Sequence, residues 1–328
     1  MLYYFIKGSC LATEMNVGAL HIAMNEIKNV IIVGMGALGL LFGQQIQNSL
    51  GSGHLCYLMD AERKKRHLQD RYTINGKEMQ FRLASPDEIT SPADLVIIAT
   101  KYSGLLDARD LIRPAVSEHT TIVSLMNGIS SEQILAERFS RQQILDCVAI
   151  GMDAVRTGTS LVYDHMGGWQ IGSSVSGQKE HLKRVTSFLD RAGIWYEVHE
   201  NIRHAMWNKF MINVGVNQTC MVYQTDYEGA TTPGPALDDM RAAMEEVILV
   251  AEAEGVTLTR EDLEKDLRIL RSLNPHGIPS MRQDALAGRK TEVELFSGTM
   301  LRLAEKHGLS VPVNERFYKT IRAMEQFF

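Results

Sequence analysis

The sequence predicts an α/β fold with a doubly wound, mainly parallel sheet, followed by an all-α domain. Three observations carry that expectation. From residue 28 onward, short β-branched runs alternate with segments of helical spacing. A glycine-rich turn joins the first such strand to the first such helix. Beyond residue 200 the strand pattern gives way to helical periodicity almost without interruption.

Residues 28–33 (KNVIIV) form a short β-branched run, as a strand buried on both faces requires. Residues 37–50 place Leu38, Leu41, Phe42 and Ile46 on one helical stripe. Residues 54–59 read as the second strand, and residues 72–81 as a hairpin turning at Asn75-Gly76. Residues 94–100, 120–125 and 144–151 continue the buried-strand style. Helices are expected over 201–222, 234–254, 260–273, 280–287, 291–307 and 314–328. Gly255, Gly288 and Gly308 stand at C-cap positions and Asn314 at an N-cap position. The domains expected are 24–200 and 201–328. Residues 1–23 precede them as a leader or poorly ordered extension, without the n-region and cleavage site of a signal peptide.

Composition removes several classes of function. With 34 Lys+Arg against 39 Asp+Glu, the net charge is −5. No long basic block is present, so a nucleic-acid partner is not expected. No apolar run is long enough to span a bilayer, so neither is a membrane partner. The four cysteines are scattered, in no metal-binding spacing, which suits a reducing, cytoplasmic setting. The histidines form no HxxxH or HExxH cluster, so no metal is expected.

Gly34-Met35-Gly36-Ala37-Leu38-Gly39 matches G-x-G-x-x-G between a strand and a helix, the context that a dinucleotide site needs. The helix N-terminus there offers free N–H groups and partial positive charge to phosphate. Asp60, at the end of the second strand, suits a ribose diol and opposes a 2′-phosphate. Arg63, Lys64, Lys65 and Arg66 follow it and can neutralise one, so NAD and NADP both stay open.

In the second half, Lys209, Asn213 and Asn217 recur every four residues on an otherwise apolar helix. They line one face over about 12 Å. Buried polar groups need partners, supplied either by neighbouring helices or by a polar ligand. A desolvated lysine has a lowered pKa, suited to protonating a carbonyl oxygen as hydride arrives. Ser280-Met-Arg-Gln283 and Thr291-Glu-Val-Glu294 both read as capping boxes, which makes Ser280 an N-cap and Glu292 a first-turn charge.

These motifs together resemble the 2-dehydropantoate 2-reductases (ketopantoate reductases). The resemblance spans residues 28–325 and runs in order. It begins with GMGALG at 34–39, Thr100-Lys101 and Met126-Asn127-Gly128. It continues through Gly167-Gly168 with Ile171-Gly172, then Lys209-x₃-Asn213-x₃-Asn217, and ends with Ser280-Met-x-Gln-Asp284 and Thr291-Glu292. It implies an N-terminal Rossmann domain facing a helical domain, with the active site in the cleft between them. It implies NAD(P)H-dependent reduction of ketopantoate or a similar 2-oxo acid, with Lys209 as general acid and Glu292 assisting orientation and proton handling. Asn213, Asn217 and Ser280 would bind substrate, Asn127 substrate or cofactor, and Lys101 cofactor. NADP(H) follows from the resemblance. NAD(H) follows from Asp60 and from Ala61, which stands where the family usually has an arginine. Gly277, Pro279, Arg282 and Gln218 are further departures, and they leave the 2-oxo acid open. A homodimer is also left open. Two other functions fit the same residues: a nicotinamide-binding sensor without turnover, or another two-domain hydroxy-acid or opine dehydrogenase.

Overall fold

The computed structural model describes residues 26–328; the expected leader, 1–23, and the domain start at Met24 lie outside the described residues. The first half lays down β1 (Val30–Val33), α1 (Ala37–Leu50), β2 (Leu55–Leu58), α2 (Ala61–His67), β3 (Tyr72–Ile74), β4 (Lys77–Met79) and β5 (Leu83–Ala84). It continues with β6 (Leu95–Ile98), α3 (Leu105–Leu111), β7 (Thr121–Ser124), α4 (Ser131–Ala136) and β8 (Ile144–Ile150). Then come β9 (Val155–Thr157), β10 (Ser160–Val162), β11 (Gly168–Gly172), α5 (Lys179–Ala192) and β12 (Trp195–Val198).

Eight strands form one sheet in the order β12-β11-β8-β7-β6-β1-β2-β5. Every pairing is parallel except β8 with β11. This is the expected doubly wound sheet, and its strand order reverses between β1 and β6. Ligands of such sheets bind at that reversal, outside the carboxyl ends of the strands. All four residues of β1 are buried because both sheet faces are covered. Val30 and Ile32 pack with Phe42 and Ile46 of α1 and Phe188 of α5. Ile31 and Val33 pack with Leu105 of α3 and Leu135 of α4.

The expected hairpin turns at Asn75 (φ 46°) and Gly76 (φ 78°). It belongs to a separate four-stranded sheet, β4-β3-β10-β9, that local periodicity does not announce. Asn75 suits that turn twice over. Its side chain donates to the Tyr163 carbonyl (2.8 Å) and accepts from the Tyr163 N–H (2.9 Å), tying the hairpin to β10.

The helical lobe comprises α6 (Ile202–Val222), α7 (Tyr227–Thr231), α8 (Pro235–Ala253), α9 (Arg260–Ser272) and α10 (Ser280–Leu286). A π-helical turn (Glu294–Gly298), α11 (Thr299–His307) and α12 (Pro312–Met324) complete it. The axis is α6, whose Phe210, Met211 and Val214 are fully buried against α8 and the π turn. Its first turn docks on the sheet, with Ile202 and Met206 against Val148 of β8. Among the described residues, no helix is long and apolar enough to cross a membrane.

Two local expectations fail here. Asn314 is not an N-cap, because α12 begins at Pro312. Glu246 of α8 takes the free Val313 and Asn314 N–H groups (2.8 and 2.9 Å). The segment 291–307 is not one α-helix either. It opens as the π turn, closed by a Gly298 N–H to Val293 carbonyl bond (2.9 Å). That wider turn points Ser297 into a buried amide network, where it donates to Gln218 Oε1 (2.5 Å).

Candidate active site

The glycine-rich turn sits where the strand order reverses. Gly34 has φ 107°, and a Cβ there would lie 2.4 Å from the Ala99 carbonyl at the end of β6. A Cβ on Gly39 would lie 2.0 Å from the Gly34 carbonyl. Both glycines are therefore demanded by the protein's own packing. Gly36 is different: its nearest neighbour would be 3.7 Å away, an ordinary contact, and its φ is −70°. Nothing in the fold requires glycine at 36, whereas close approach of a ligand to the backbone does. No side chain caps α1 and no acidic residue stands in its first turn, so its N–H groups face outward unopposed. Gly34, Met35, Gly36, Ala37, Leu38 and Gly39 thus fit a dinucleotide pyrophosphate.

At the end of β2, Asp60 is exposed and serves as the N-cap of α2, its Oδ1 accepting from the Arg63 N–H (2.7 Å). Of the four basic residues that follow, Lys64 pairs with Glu88 and Lys65 with Glu62. The Arg63 and Arg66 side chains are exposed and, among the described residues, without a partner.

In the helical lobe, Lys209 reaches the sheet and donates from Nζ to the Ala149 carbonyl of β8. Burial pulls its pKa down to about 8, the Cys147 thiol working weakly in the opposite sense. Further along α6, Asn217 donates to Asn213 Oδ1 (3.2 Å). Asn217 Oδ1 accepts from Ser280 Oγ (3.2 Å) and from the Met281 N–H (3.1 Å). Ser280 is therefore not an N-cap. Pro279 holds that position without a capping side chain, and Asn217 supplies the acceptor from the neighbouring helix. With Asn217 fully engaged, Asn213 Nδ2 is left as a buried donor without a partner.

The lobes meet through Lys101. Its Nζ lies 2.8 Å from Asp284 Oδ2 and 3.3 Å from Glu292 Oε2. Desolvation lowers the ammonium's pKa, but Glu292 and Asp284 reverse that and leave it raised. Arg289 grips the other Asp284 oxygen (3.0 Å from Nε). The adjacent Tyr102 accepts from Arg302 of α11 (3.0 Å). Asn127 lies in the turn after β7, half-buried and with no side-chain hydrogen bond among the described residues. Its neighbour Gly128 packs against the helical lobe, where a Cβ would lie 2.4 Å from Leu295 Cδ1.

Two family models cover most of the chain: "Ketopantoate reductase PanE/ApbA" over residues 30–174 and "Ketopantoate reductase PanE/ApbA C terminal" over residues 201–325. The chain belongs to the ketopantoate reductase family. A 2-dehydropantoate 2-reductase of Halobacterium salinarum is 27% identical over 311 residues, covering 90% of this chain and 99% of the relative. Among solved structures, D-mandelate dehydrogenase with NADH and anilino(oxo)acetate superposes with a TM-score of 0.79 at 21% identity, covering 91% of this chain and 99% of that one. A ketopantoate reductase of the PanE/ApbA family from Ralstonia eutropha gives a TM-score of 0.78 at 23% identity, with 91% and 99% covered. The chain is accordingly an oxidoreductase of a nicotinamide-binding family.

Within that ketopantoate reductase frame, the structure assembles two groups of the residues singled out from sequence. One is Asn213, Asn217 and Ser280; the other is Lys101 with Glu292 and Asp284, both carboxylates paired to its ammonium. Asp284 lies one turn after Ser280 on α10, so the groups adjoin. Local reading missed the charged role of Asp284, the Tyr102–Arg302 contact and the Ala149 acceptor. Asp284's i, i+4 spacing from Ser280 is the only signal that could have pointed to one of them. Arg282 is half-buried, has no hydrogen-bond or ion-pair partner among the described residues, and its charge opposes the rise that burial gives the Cys220 thiol. A separate cavity of about 260 Å³ opens between the lobes, lined by Ser130, Glu132, Asp146, Arg203, Trp207 and Leu303 among others. None of the residues singled out above lines it.

Proposed function

We propose that this protein reduces a small 2-oxo acid, ketopantoate or a close analogue, to the 2-hydroxy acid, with Lys209 as the proton donor. The observation that carries the reading is Lys209 itself. It is an ammonium on a largely buried helix, brought down to about 8, one turn from the unpartnered Asn213 amide. Such a group is protonated at neutral pH and yields its proton at small cost. A nicotinamide cofactor with its pyrophosphate held at the turn 34–39 would supply the hydride. Lys209 gives a proton to the 2-oxo oxygen. Asn213 and the Ser280 hydroxyl hold the polar groups of the substrate. Asn217, engaged with both of them, fixes their positions. Glu292 and Lys101 orient the closed cleft, and Asn127 completes its cofactor side. The curated relatives named 2-dehydropantoate 2-reductase support ketopantoate. The D-mandelate dehydrogenase neighbour supports a wider range of 2-oxo acids.

For the cofactor we infer NADH, because Asp60 holds a carboxylate at the end of β2 and Ala61 offers no cation. The free side chains of Arg63 and Arg66 favour NADPH as the second reading. A panel of 2-oxo acids assayed with each cofactor tests both points. Saturable oxidation of one cofactor is expected with at least one acid. Tight cofactor binding with no oxidation by any 2-oxo acid would instead make the protein a sensor. Cofactor dissociation constants for an Arg63→Ala variant separate the two cofactor readings, since a loss confined to NADPH supports the second.

A further inference from the structure

Behind Glu292 stands a second carboxylate that the reaction does not touch. Glu325, in the turn that follows α12, has a side chain only 5% exposed. Its Oε1 accepts from the Thr291 backbone N–H (2.8 Å) and from the Thr291 hydroxyl (2.7 Å). Its Oε2 accepts from Arg322 (2.8 Å). The Thr291 oxygen in turn accepts from the Val293 N–H (3.3 Å). The residues on both sides of Glu292 are thus anchored, one directly to Glu325 and one through the Thr291 hydroxyl. The Glu292 carbonyl is held as well, accepting from the Leu295 and Phe296 N–H groups (2.9 and 3.2 Å) as the π turn begins. With its backbone fixed in this way, the Glu292 carboxylate can reach Lys101 through side-chain torsions alone.

We propose that Glu325 is a positioning residue for the reduction: through Thr291 it sets the backbone from which Glu292 reaches the cofactor lobe. This rests on the role given to Glu292 above. The chemistry of the anchor suits the task. An ionised acceptor binds its donors about twice as strongly as a neutral one, and here one oxygen takes two donors from a single residue. Small displacements of groups that position a substrate are costly, with about 1 Å enough to lose ~10²-fold in rate. An ordinary structural anchor would act on folding alone; a positioning residue acts on the chemical step of protein that is already folded and loaded.

The test uses the whole protein with its preferred cofactor and 2-oxo acid, and compares wild type, Glu325→Ala, Thr291→Val and the double variant. Turnover is expressed per cofactor-binding site, counted by nicotinamide fluorescence titration. The deuterium isotope effect on kcat is measured with cofactor carrying deuterium at the transferred position. We expect Glu325→Ala to lose about tenfold in kcat per site, and Thr291→Val, which keeps the main-chain bond to Glu325, to lose a smaller but clear part of it. The isotope effect should be at least that of wild type, because hydride transfer is the step slowed. The double variant should be no worse than the worse single, because both changes act along one path from Glu325 through Thr291. Lys319→Ala, an exposed change on α12, serves as the control. Full kcat per site in Glu325→Ala, or a loss accounted for wholly by fewer binding sites, would overturn the proposal. If Glu325→Ala does not fold, Thr291→Val decides. A wild type inert toward every 2-oxo acid overturns the functional reading and this inference together, whereas an active wild type beside an undiminished Glu325→Ala overturns this inference alone.

Discussion

In the α/β lobe the site proposed for the cofactor is built from backbone. Gly34 is pressed against Ala99, Gly39 against Gly34, and the open N–H groups of α1 face outward. In the helical lobe the groups proposed for the site are side chains, and apart from the Asn213–Asn217 pair their partners are remote in sequence. Asn217 meets Ser280 across 63 residues, and Lys101 meets Asp284 across 183. The contrast follows from what each half is proposed to hold. A pyrophosphate is met by any well-placed N–H, so glycines and a helix end suffice. A small acid needs donors and a proton at particular atoms, which only particular side chains carry.

The strongest way to break this comparison is Lys209→Ala. It should lower turnover by about 10³-fold or more while cofactor affinity stays within about threefold. Near-normal turnover would remove Lys209 from the chemistry. On the backbone side, Gly36→Val should leave the fold intact yet weaken cofactor binding by about a hundredfold, read by fluorescence titration and circular dichroism. Gly34→Ala should instead destabilise the fold by ~2 kcal/mol or more, through its positive φ and the clash with Ala99. Equal effects at 34 and 36 would erase the distinction drawn between them.

The pH dependence is a third measure. Lys209 sits near 8, so 2-oxo acid reduction should be flat below that pH and fall about tenfold per unit above it. A profile flat to pH 10 would contradict the assignment. The smallest effect concerns stability. Burial raises Asp266, fully enclosed beside Asn208, to about 7. The folded chain then keeps a proton that the unfolded chain has released. Stability should therefore decline as pH rises from about 4 to about 7 and level off above. Asp266→Asn should flatten that decline, narrowing the difference in Tm between pH 5 and pH 8 by a few degrees.

What was legible follows the same division. The doubly wound sheet and the turn at 34–39 could be read directly, because both depend on residues adjacent along the chain. The Lys209–Asn213–Asn217 stripe could be read too, because helical period alone aligns it. Its partners could not. Ser280 has the letters of a capping box, yet Asn217 makes the bond that a cap would make. Asn314 looks like a helix start, yet Glu246 of another helix does that work. The second sheet joins β3 to a strand more than eighty residues later, a pairing that no local pattern encodes. Glu325 has no sequence signal, since its meaning arises only where α12 returns beside Thr291.

One short stretch ties the lobes more directly than their apolar seam does. Ala99 abuts Gly34, Lys101 grips Asp284 and Glu292, and Tyr102 holds Arg302, whose guanidinium also lies 5.9 Å from the Tyr102 ring. Four consecutive residues thus touch the glycine turn at one end and the helical lobe at the other. Mechanically, they are a short link between the two. A displacement of the helical lobe would therefore be felt at the floor of the glycine turn, because the stretch that joins them is anchored at both ends.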